Sequence, residues 1–450
     1  MELREAIERY HDLLTPELAA ASQEQLDEQQ QRRGLFFGTR PLCTVLRPRF
    51  LTHDQYRFLE ERVALLLGAF DVAYQAAVSE PELRAQFMLD ETEEELVRER
   101  FGFRDPSPTS RLDTFFIPGT GQLHVVEYNA EVPAAIAYNH AVSEIMLALP
   151  VMRAFLKRYE VRPLSSRHML LGVLLDAFEQ WAGRREKPSI AILDWEDVPT
   201  YSEFILFRDY FQQQGYACVI ADPRQLEYRG GVLYAADTPV NLIYKRVLIS
   251  ELIQRGRLDQ PVIRAVRDGA ACMVNPFACK ILHKKASLAV LSDERNHHLF
   301  SPDQVQAIAA HIPWTRRVVD ERTSYQGQEV ELVPFILANR DRLVLKANDE
   351  YGGKGVVLGW ETDAAGWEWA VQTALSEPSV VQERVPVDSE PFPSLIEGEL
   401  RVIDRMLDTD PFVYHGAFMD GALTRISTAA LLNVTAGGGS TVPTMLVEER

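Results

Sequence analysis

Two short segments of alternating residues carry the first group of side chains that could do chemistry. Arg111 and Asp113 lie two positions apart, and so do Glu127 and Asn129. Side chains two apart on a β-strand share a face, and the Pro/Gly-rich turn at residues 118–121 predicts that the segments pair as a hairpin. A turn centred on this loop places Asp113 opposite Glu127 and Arg111 opposite Asn129.

These four polar groups suit a metal and an anion together. The oxygens of Asp113, Glu127 and Asn129 are the hard ligands that Mg²⁺ prefers, and Arg111 is suited to a phosphate or a developing oxyanion. A slip of one residue in register would place the two pairs on opposite faces of the hairpin. The alternative to a metal and anion site is a surface hairpin with a cross-strand charge pair. The opposite face is expected to hold Leu112, Phe116 and Val126.

Residues 346–355 form a second candidate site. Lys346 ends an apolar strand, and the following loop contains Glu350, Gly352, Gly353 and Lys354. Glycines let backbone N–H groups approach phosphate oxygens closely, and flanking lysines add positive charge. The spacing matches neither the P-loop nor the dinucleotide-binding fingerprint. An ordinary hairpin turn is the alternative.

Two further segments carry weaker signals. The apolar strand at residues 379–382 runs into Gln382 and Glu383 and could present its backbone edge to an adenine ring, with Asp388 near a ribose. An edge strand ending at a proline looks the same. Near the C-terminus, Arg425 precedes three consecutive glycines within residues 433–443, which suits either a substrate loop or a flexible tail.

Lysine usage also favours a phosphate site. The chain has only eight lysines against 39 arginines. A compact ammonium is well suited to phosphate oxygens, although chance clustering is the alternative. Five of the eight fall within one 75-residue stretch: Lys280, Lys284, Lys285, Lys346 and Lys354.

Composition limits the kind of protein that these residues belong to. The 450 residues are 46% hydrophobic and 25% charged, the balance of a globular protein of two or three packed units. The formal net charge of −18 disfavours nucleic-acid binding. The four cysteines show neither zinc nor disulfide spacing. Without a signal region or a long apolar stretch, a cytoplasmic location away from membranes is expected.

Periodicity predicts the elements that position these residues. Residues 1–104 are expected to be helical, and residues 105–160 to form the hairpin and a helix. Residues 165–270 alternate strand and helix, which indicates a Rossmann-like parallel unit. The segments with candidate phosphate and adenine contacts fall within residues 271–450. The predicted fold class is therefore mixed α/β.

Taken together, the motifs resemble those of the ATP-grasp superfamily in rotated order. The Arg111-x-Asp113 and Glu127-x-Asn129 pairs precede the lysine and glycine-loop motifs, whereas a typical ATP-grasp ligase has them last. This order is similar to the circularly permuted members, including glutathionylspermidine synthase-like proteins and eukaryotic glutathione synthase. The resemblance runs from about residue 105 to the C-terminus and implies a permuted ATP-grasp lobe, an inserted Rossmann-like substrate unit and N-terminal helices.

The resemblance also implies roles and cofactors, ATP and Mg²⁺. Arg111 and Arg425 would act on the acyl phosphate and a substrate carboxylate. The implied magnesium ligands are Asp113, Glu127, Asn129 and Glu350. The implied nucleotide contacts are Lys285, Lys346, Gly352, Gly353, Lys354, Gln382, Glu383 and Val385.

The sequence departs from the family pattern at two points. Alanine follows Lys346 where proline is usual, and Lys280 and Lys284 leave the choice of the first phosphate lysine open. The implied reaction is ATP-dependent ligation of a small-molecule carboxylate, from a peptide or amino acid, to an amine through an acyl phosphate. A kinase-like phosphoryl-transfer enzyme and a non-catalytic ATP-binding regulator remain alternatives. No nucleic-acid or membrane partner is expected, and a homodimer is left open.

Overall fold

The computed structural model describes residues 2–164, 167–428 and 439–450, and it has the predicted mixed α/β architecture. The N-terminal region is largely helical, as the periodicity predicts, with three very short strands added. Its elements are α1 (Leu3–Asp12), α2 (Pro16–Arg33), β1 (Phe36–Phe37), β2 (Arg40–Pro41), β3 (Arg49–Leu51), α3 (His53–Ser79), α4 (Pro81–Ala85) and α5 (Glu91–Leu96).

Helix α3 is the longest of these helices and packs against the predicted hairpin. Thr52 and Gln55 close its N-terminus with a capping box. Phe70 contacts Tyr128 of the hairpin, with ring centroids 4.6 Å apart, inside one large apolar cluster. Among the described helices, α3 alone is long and apolar enough to cross a membrane, a criterion that buried core helices also meet. Its packing here is that of a core helix.

The hairpin consists of β4 (Thr109–Ile117) and β5 (Gln122–Asn129), and its register is the predicted one. Arg111 pairs with Asn129 and Asp113 with Glu127. The expectation that Val126 lies on the opposite face is wrong. A bulge follows Asp113, so Val126 turns toward the same side as Glu127, while Leu112 and Phe116 enter the core as expected.

The hairpin is also not a surface feature, because β4 pairs along its other edge with a C-terminal strand. After the hairpin the chain forms two helices and a strand instead of one continuous helix. These are α6 (Ile136–Ala148), α7 (Pro150–Phe155) and β6 (Tyr159–Pro163). Pro150 begins the second helix, where its fixed φ is tolerated.

A four-stranded parallel sheet follows, in the order β13-β12-β7-β8, as the strand–helix alternation predicts. A small antiparallel ribbon, β9 to β11, is attached to it, and the sheet continues past residue 270 to Val274. The elements are α8 (Arg167–Ala182), β7 (Ser189–Leu193), α9 (Tyr201–Gln213), β8 (Ala217–Ala221), β9 (Leu226–Arg229), β10 (Val232–Ala235), β11 (Thr238–Val240), β12 (Leu242–Lys245), α10 (Ile249–Gly256), α11 (Pro261–Arg267) and β13 (Cys272–Val274).

The next unit is a four-stranded antiparallel sheet in the order β14-β19-β17-β18, with a separate small hairpin, β15–β16. Strand β19 lies between β14 and β17, which excludes the alternative of an edge strand there. The elements are α12 (Cys279–His283), α13 (Ala286–Ser292), α14 (Pro302–His311), β14 (Thr315–Arg317), β15 (Arg322–Tyr325), β16 (Gln328–Glu331), α15 (Leu332–Ala338), β17 (Leu343–Ala347), β18 (Val356–Leu358), α16 (Ala364–Ser376) and β19 (Ser379–Glu383).

The C-terminal segment adds strands to one large sheet with the path β20-β21-β23-β22-β4-β5. The last strand pairs with β23, β3 and β6, so residues 440–449 are not a tail. The glycine run belongs largely to residues 429–438, which lie outside the described ranges. The elements are β20 (Asp388–Ile396), β21 (Glu399–Leu407), β22 (Asp410–Tyr414), β23 (Phe418–Ser427) and β24 (Ser440–Glu449).

Candidate active site

One cavity of about 560 Å³ lies where the four-stranded antiparallel sheet β14-β19-β17-β18 faces the large C-terminal sheet. The residues to which the family resemblance assigns catalytic, nucleotide-binding or metal-binding roles all line this cavity. They are Arg111, Asp113, Glu127, Asn129, Lys285, Lys346, Glu350, Gly352, Gly353, Lys354, Gln382, Glu383, Val385 and Arg425. Tertiary structure therefore brings together residues from five separate chain segments.

Two lysines from separate segments meet beside the hairpin. Lys285, just before α13, places its Nζ 3.1 Å from Glu127 Oε1 and 2.6 Å from the backbone oxygen of Glu350. Lys346, on β17, donates to Gln382 Oε1 at 2.7 Å and to the backbone oxygen of Val126 at 3.0 Å. This pair of ammonium groups is suited to successive phosphates of a nucleotide.

The charge of Lys346 depends on its surroundings. Burial, which disfavours the ammonium form, lowers the pKa of Lys346 to about 8, and Glu127 opposes that shift only in part. Polyanionic phosphates beside the lysine would favour its charged form. We therefore expect Lys346 to gain a proton when an anion binds beside it.

Only one of the three clustered lysines lies at the cavity. Lys285 is a lining residue. Lys280 and Lys284, in contrast, are bound by Asp349 at 2.7 and 3.2 Å behind the glycine-rich loop. Geometry thus favours Lys285 as the first phosphate lysine.

The side-chain oxygens that are expected to bind magnesium differ in whether other side chains already bind them. Within the described residues, Asn129 Oδ1 is buried and has no hydrogen-bond partner. Burial would raise the pKa of Glu127, but Lys285 and Lys346 reverse that effect and hold the carboxylate ionised. An unsatisfied amide oxygen beside an ionised carboxylate fits a hard divalent cation. Glu350 lies at the exposed rim of the same cavity.

Asp113 is engaged differently, because both of its oxygens already bind guanidinium groups. Arg111 donates to Oδ1 at 2.8 Å and to Oδ2 at 3.0 Å, and Arg425 donates to Oδ2 at 2.8 Å. Arg425 also binds Asp408 and Asp410, at 2.6 and 2.8 Å. The predicted metal ligand Asp113 is thus also the bridge between the two predicted catalytic arginines.

This arginine–aspartate network is buried, which sets its protonation. Burial raises the pKa of Asp410 well above its ordinary value, and the nearby carboxylates add to that effect. For Asp113 burial acts in the same direction, but Arg111 and Arg425 outweigh it and lower the pKa. Sequence reasoning missed Asp408 and Asp410, although their spacing of two across a strand start repeats the Arg111–Asp113 pattern.

The cavity also has apolar lining residues, which suit a base. Val344, Val356, Leu358, Trp360 and Met406 line it. The neighbouring backbone is only partly available: Glu383 N donates to Trp314 O at 2.8 Å and Arg384 N to Arg342 O at 2.8 Å.

Val385 is the next residue along this backbone and lies beyond the strand. Within the described part of the chain, its N–H makes no hydrogen bond. The side chain of Glu383 is held by Tyr325 at 2.8 Å and by Arg342 at 3.2 Å. Val385, rather than the strand edge, therefore offers the free backbone group. Asp388 is not among the residues that line the cavity.

The glycine-rich loop needs its glycines. Gly352, Gly353 and Gly355 have φ values of 64°, 80° and 66°, in the left-handed region that favours glycine. A Cβ at Gly355 would lie 2.6 Å from the Cβ of Ala347 on the adjoining strand. The loop thus turns tightly back into β18 and keeps Lys354 over the ring of Tyr351, 5.1 Å from its centroid.

Comparison with known proteins accounts for this arrangement. The sequence profile described as circularly permuted ATP-grasp type 2 matches residues 117–427. The chain belongs to this permuted ATP-grasp family. The match contains every predicted site residue except Arg111 and Asp113, which lie just before it on the paired strand β4.

Named relatives and a solved structure agree with this family. Candidate glutamate–cysteine ligases 2-3 of Frankia alni and 2-2 of Frankia casuarinae are 26% and 25% identical over 72% of the chain. Each alignment covers 36% of the relative, so the chain spans about a third of the length of these curated relatives. A glutathione synthetase-like effector from Globodera pallida shares the fold, with a TM-score of 0.59 at 13% identity, over 96% of this chain and 97% of that one.

Proposed function

We propose that this permuted ATP-grasp protein is an ATP-dependent carboxylate–amine ligase that acts through an acyl phosphate. The observation that supports this proposal is that one cavity is lined by Lys285 and Lys346, by an Asn129 oxygen without a hydrogen-bond partner among the described residues, and by two arginines bridged by Asp113. A kinase needs the nucleotide and metal groups but has less use for a second buried arginine at the transfer point. A binding protein has no use for either arginine.

The chain's own residues supply binding and charge. Lys285 and Lys346 hold the phosphates, the apolar lining around Trp360 holds the base, and Val385 N–H is the backbone donor. Glu127, Asn129 and Glu350 would hold Mg²⁺, which would neutralise charge on the transferring phosphoryl group. Asp113 orients the arginines, and its predicted metal contact stays a prediction.

The reaction follows from this placement. A carboxylate oxygen of the substrate attacks the terminal phosphorus of ATP, and ADP leaves. The substrate amine, after loss of its proton, then attacks the acyl carbon, and inorganic phosphate leaves as the amide forms. Arg111 and Arg425 stabilise the negative charge that develops on the acyl oxygen, and binding both substrates in one cavity supplies the orientation.

The names of the relatives suggest which substrates to try first. We propose an amino-acid carboxylate and a small amine, beginning with glutamate and cysteine. A cytoplasmic location is also proposed, in keeping with four cysteines that are all buried as free thiols. A homodimer, which the sequence leaves open, is a separate proposal that sedimentation velocity tests.

A hydroxylamine trap tests the mechanism directly. Hydroxylamine attacks an acyl phosphate to give a hydroxamate, so incubation with Mg²⁺, ATP and glutamate should yield glutamyl hydroxamate and ADP in equal amounts. Arg425→Met, which keeps the nucleotide groups, should give little hydroxamate and no more than about one ADP per active site, because attack on the acyl carbon needs the charge of Arg425. ADP without hydroxamate, across a panel of amino acids and small peptides, would favour the phosphoryl-transfer alternative. ATP binding with no turnover would favour the regulator.

A further inference from the structure

A buried charge cluster lies behind the glycine-rich loop, outside the cavity. It contains equal numbers of ammonium and carboxylate groups, and all but one of these side chains are at most 5% exposed. The exception is Asp349, which is 22% exposed and immediately precedes Glu350. The members are Lys245, Lys280, Lys284, Glu93, Glu131 and Asp349.

One line of contacts connects this buried charge cluster to the N-terminal region. Glu93 Oε1 lies 2.7 Å from Lys284 Nζ, and Lys284 Nζ lies 3.2 Å from Asp349 Oδ2. In the amino-acid sequence, the acidic run at residues 91–100 is typical of a solvated helix face. The structure corrects this for Glu93, which is only 2% exposed and is fixed within the capping box that begins α5.

A second line of contacts runs to the parallel sheet. Lys280 Nζ lies 2.7 Å from Asp349 Oδ1 and 3.0 Å from Glu131 Oε2, and Lys245 on β12 lies 3.3 Å from Glu131 Oε1. His283 is near both carboxylates, at 3.7 and 4.0 Å, an arrangement with metal-ligand geometry. The Lys280 ammonium already lies between these two carboxylates, so Lys280 and not a metal ion is the cation at this position.

The residue before Asp349 ties the loop to the first phosphate lysine. Asn348 O accepts from Lys285 N at 3.0 Å, and Asn348 Oδ1 accepts from Ala286 N at 2.9 Å. Its Nδ2 donates to Phe87 O in the N-terminal region at 3.0 Å. Asn348 therefore holds the Lys285 segment against the glycine-rich loop and contacts the N-terminal region directly, whereas Asp349 reaches that region through Lys284.

We infer that Glu93 is a positioning residue for the nucleotide loop, acting through Lys284 and Asp349. This inference rests on the proposed nucleotide site and assigns a role there to the N-terminal region. Among the described residues, Lys284 pairs with the carboxylates of Glu93 and Asp349, so removal of Glu93 leaves Lys284 with Asp349 and one buried positive charge in excess, and removal of both Glu93 and Lys284 leaves Asp349 without this partner. In either variant the contacts that hold Asp349 change, which moves Glu350 and the loop, and a small misplacement of binding groups is costly.

Three variants test this role. Glu93→Gln removes the charge, and the double variant Glu93→Gln/Lys284→Gln removes the ion pair while keeping the buried charges balanced. Glu91→Gln makes the same change at an exposed position of the same helix and serves as the control. Two quantities are measured: the Kd for Mg-ATP by calorimetry, and amide hydrogen exchange of residues 349–356 without nucleotide.

The expected result is a Kd about tenfold weaker in both Glu93 variants, a coupling of ordinary size between distant sites, with faster exchange in residues 349–356. Glu91→Gln should match the wild type. Folded Glu93 variants with wild-type affinity and loop exchange overturn the inference, as does a uniform rise in exchange that spares no segment. If Glu93→Gln does not fold, the Kd and the loop exchange of the double variant decide whether the inference holds. Failure of the wild type to bind ATP overturns the proposed function instead, while loop exchange still tests Glu93.

Discussion

Arg425 and Asp113 form one ion pair, with Nη2 and Oδ2 2.8 Å apart, although they are 312 positions apart in the chain. Asp113 also binds Arg111, so both arginines depend on one carboxylate. The two guanidinium groups thus come from different parts of the chain: Arg111 lies on hairpin strand β4 and Arg425 on C-terminal strand β23. The pairing makes the arginines a unit, and changes to them should not be additive.

The first prediction concerns Arg425. Arg425→Lys keeps one positive charge but cannot bind Asp113, Asp408 and Asp410 at once, because a single ammonium lacks the planar fork. Turnover should fall on the order of a hundredfold, as when one donor to an oxyanion is removed, with the Kd for ATP nearly unchanged. Steady-state kinetics and calorimetry check this. An equal loss in Kd would assign Arg425 to the nucleotide instead.

The second prediction concerns the metal. Glu127→Gln removes the ionised ligand beside Asn129, so ATP binding should lose its dependence on Mg²⁺. Calorimetry with and without the ion measures this, and chelation of Mg²⁺ from the wild type should reproduce the variant's affinity. Glu368→Gln, at an exposed position on α16, is the matched control. Retained Mg²⁺ dependence in Glu127→Gln would contradict the assignment.

The third prediction uses the pKa of Lys346. Burial lowers it to about 8, so a large fraction of these side chains is neutral at pH 8 and few are neutral at pH 6.5. Bound phosphates favour the ammonium and raise the pKa, so ATP binding should take up protons at pH 8 and far fewer at pH 6.5. Binding enthalpies in buffers of different ionisation enthalpy give the number of protons. Release of protons at pH 8 would contradict the expected rise in the pKa of Lys346 on ATP binding.

The fourth prediction concerns the binding of the base. Trp360 lines the apolar part of the cavity, and none of the other five tryptophans does. Its indole is covered on one side by Arg384, whose guanidinium carbon lies 4.2 Å from the ring centroid. ATP binding should therefore change tryptophan fluorescence in the wild type but not in Trp360→Phe, with affinity largely retained. A full signal in Trp360→Phe would place the base elsewhere.

The fifth prediction concerns stability. Arg47 and Arg49 are fully buried and both bind Glu390 on β20, at 3.0 and 3.3 Å. Glu390→Gln leaves two buried guanidinium groups without their carboxylate, which should cost about 3–5 kcal/mol of unfolding free energy. Chemical denaturation measures the loss against Glu368→Gln. A loss below about 1 kcal/mol, the size expected of an exposed pair, would show that backbone oxygens suffice for these arginines.

Several local features of the site were predictable from sequence alone. The Pro/Gly turn and the two-residue spacing predicted the hairpin register, because alternation and turn length together specify which residues face each other. The glycine-rich loop between Lys346 and β18 was visible for a similar reason. Periodicity also predicted the parallel sheet, since βαβ units leave a strong local pattern.

Other features depended on contacts distant in the chain. The bulge that turns Val126 toward the cavity depends on neighbouring strands, and the central position of β19 depends on pairing with β14 and β17. The C-terminal strands carry mixed polar and apolar residues with prolines in β20, so their pairing is only weakly coded in local pattern.

The sequence by itself thus determined the types of chemical group, their spacing within each segment and the family to which the motifs point. These are local properties, carried by residues a few positions apart. Only the tertiary structure decided which groups meet: Lys285 rather than Lys280 or Lys284 at the cavity, Asp113 between two arginines, and Glu93 behind the loop. The physical reason is that burial and charge pairing are set by packing between segments far apart in the chain, and no local periodicity records that packing.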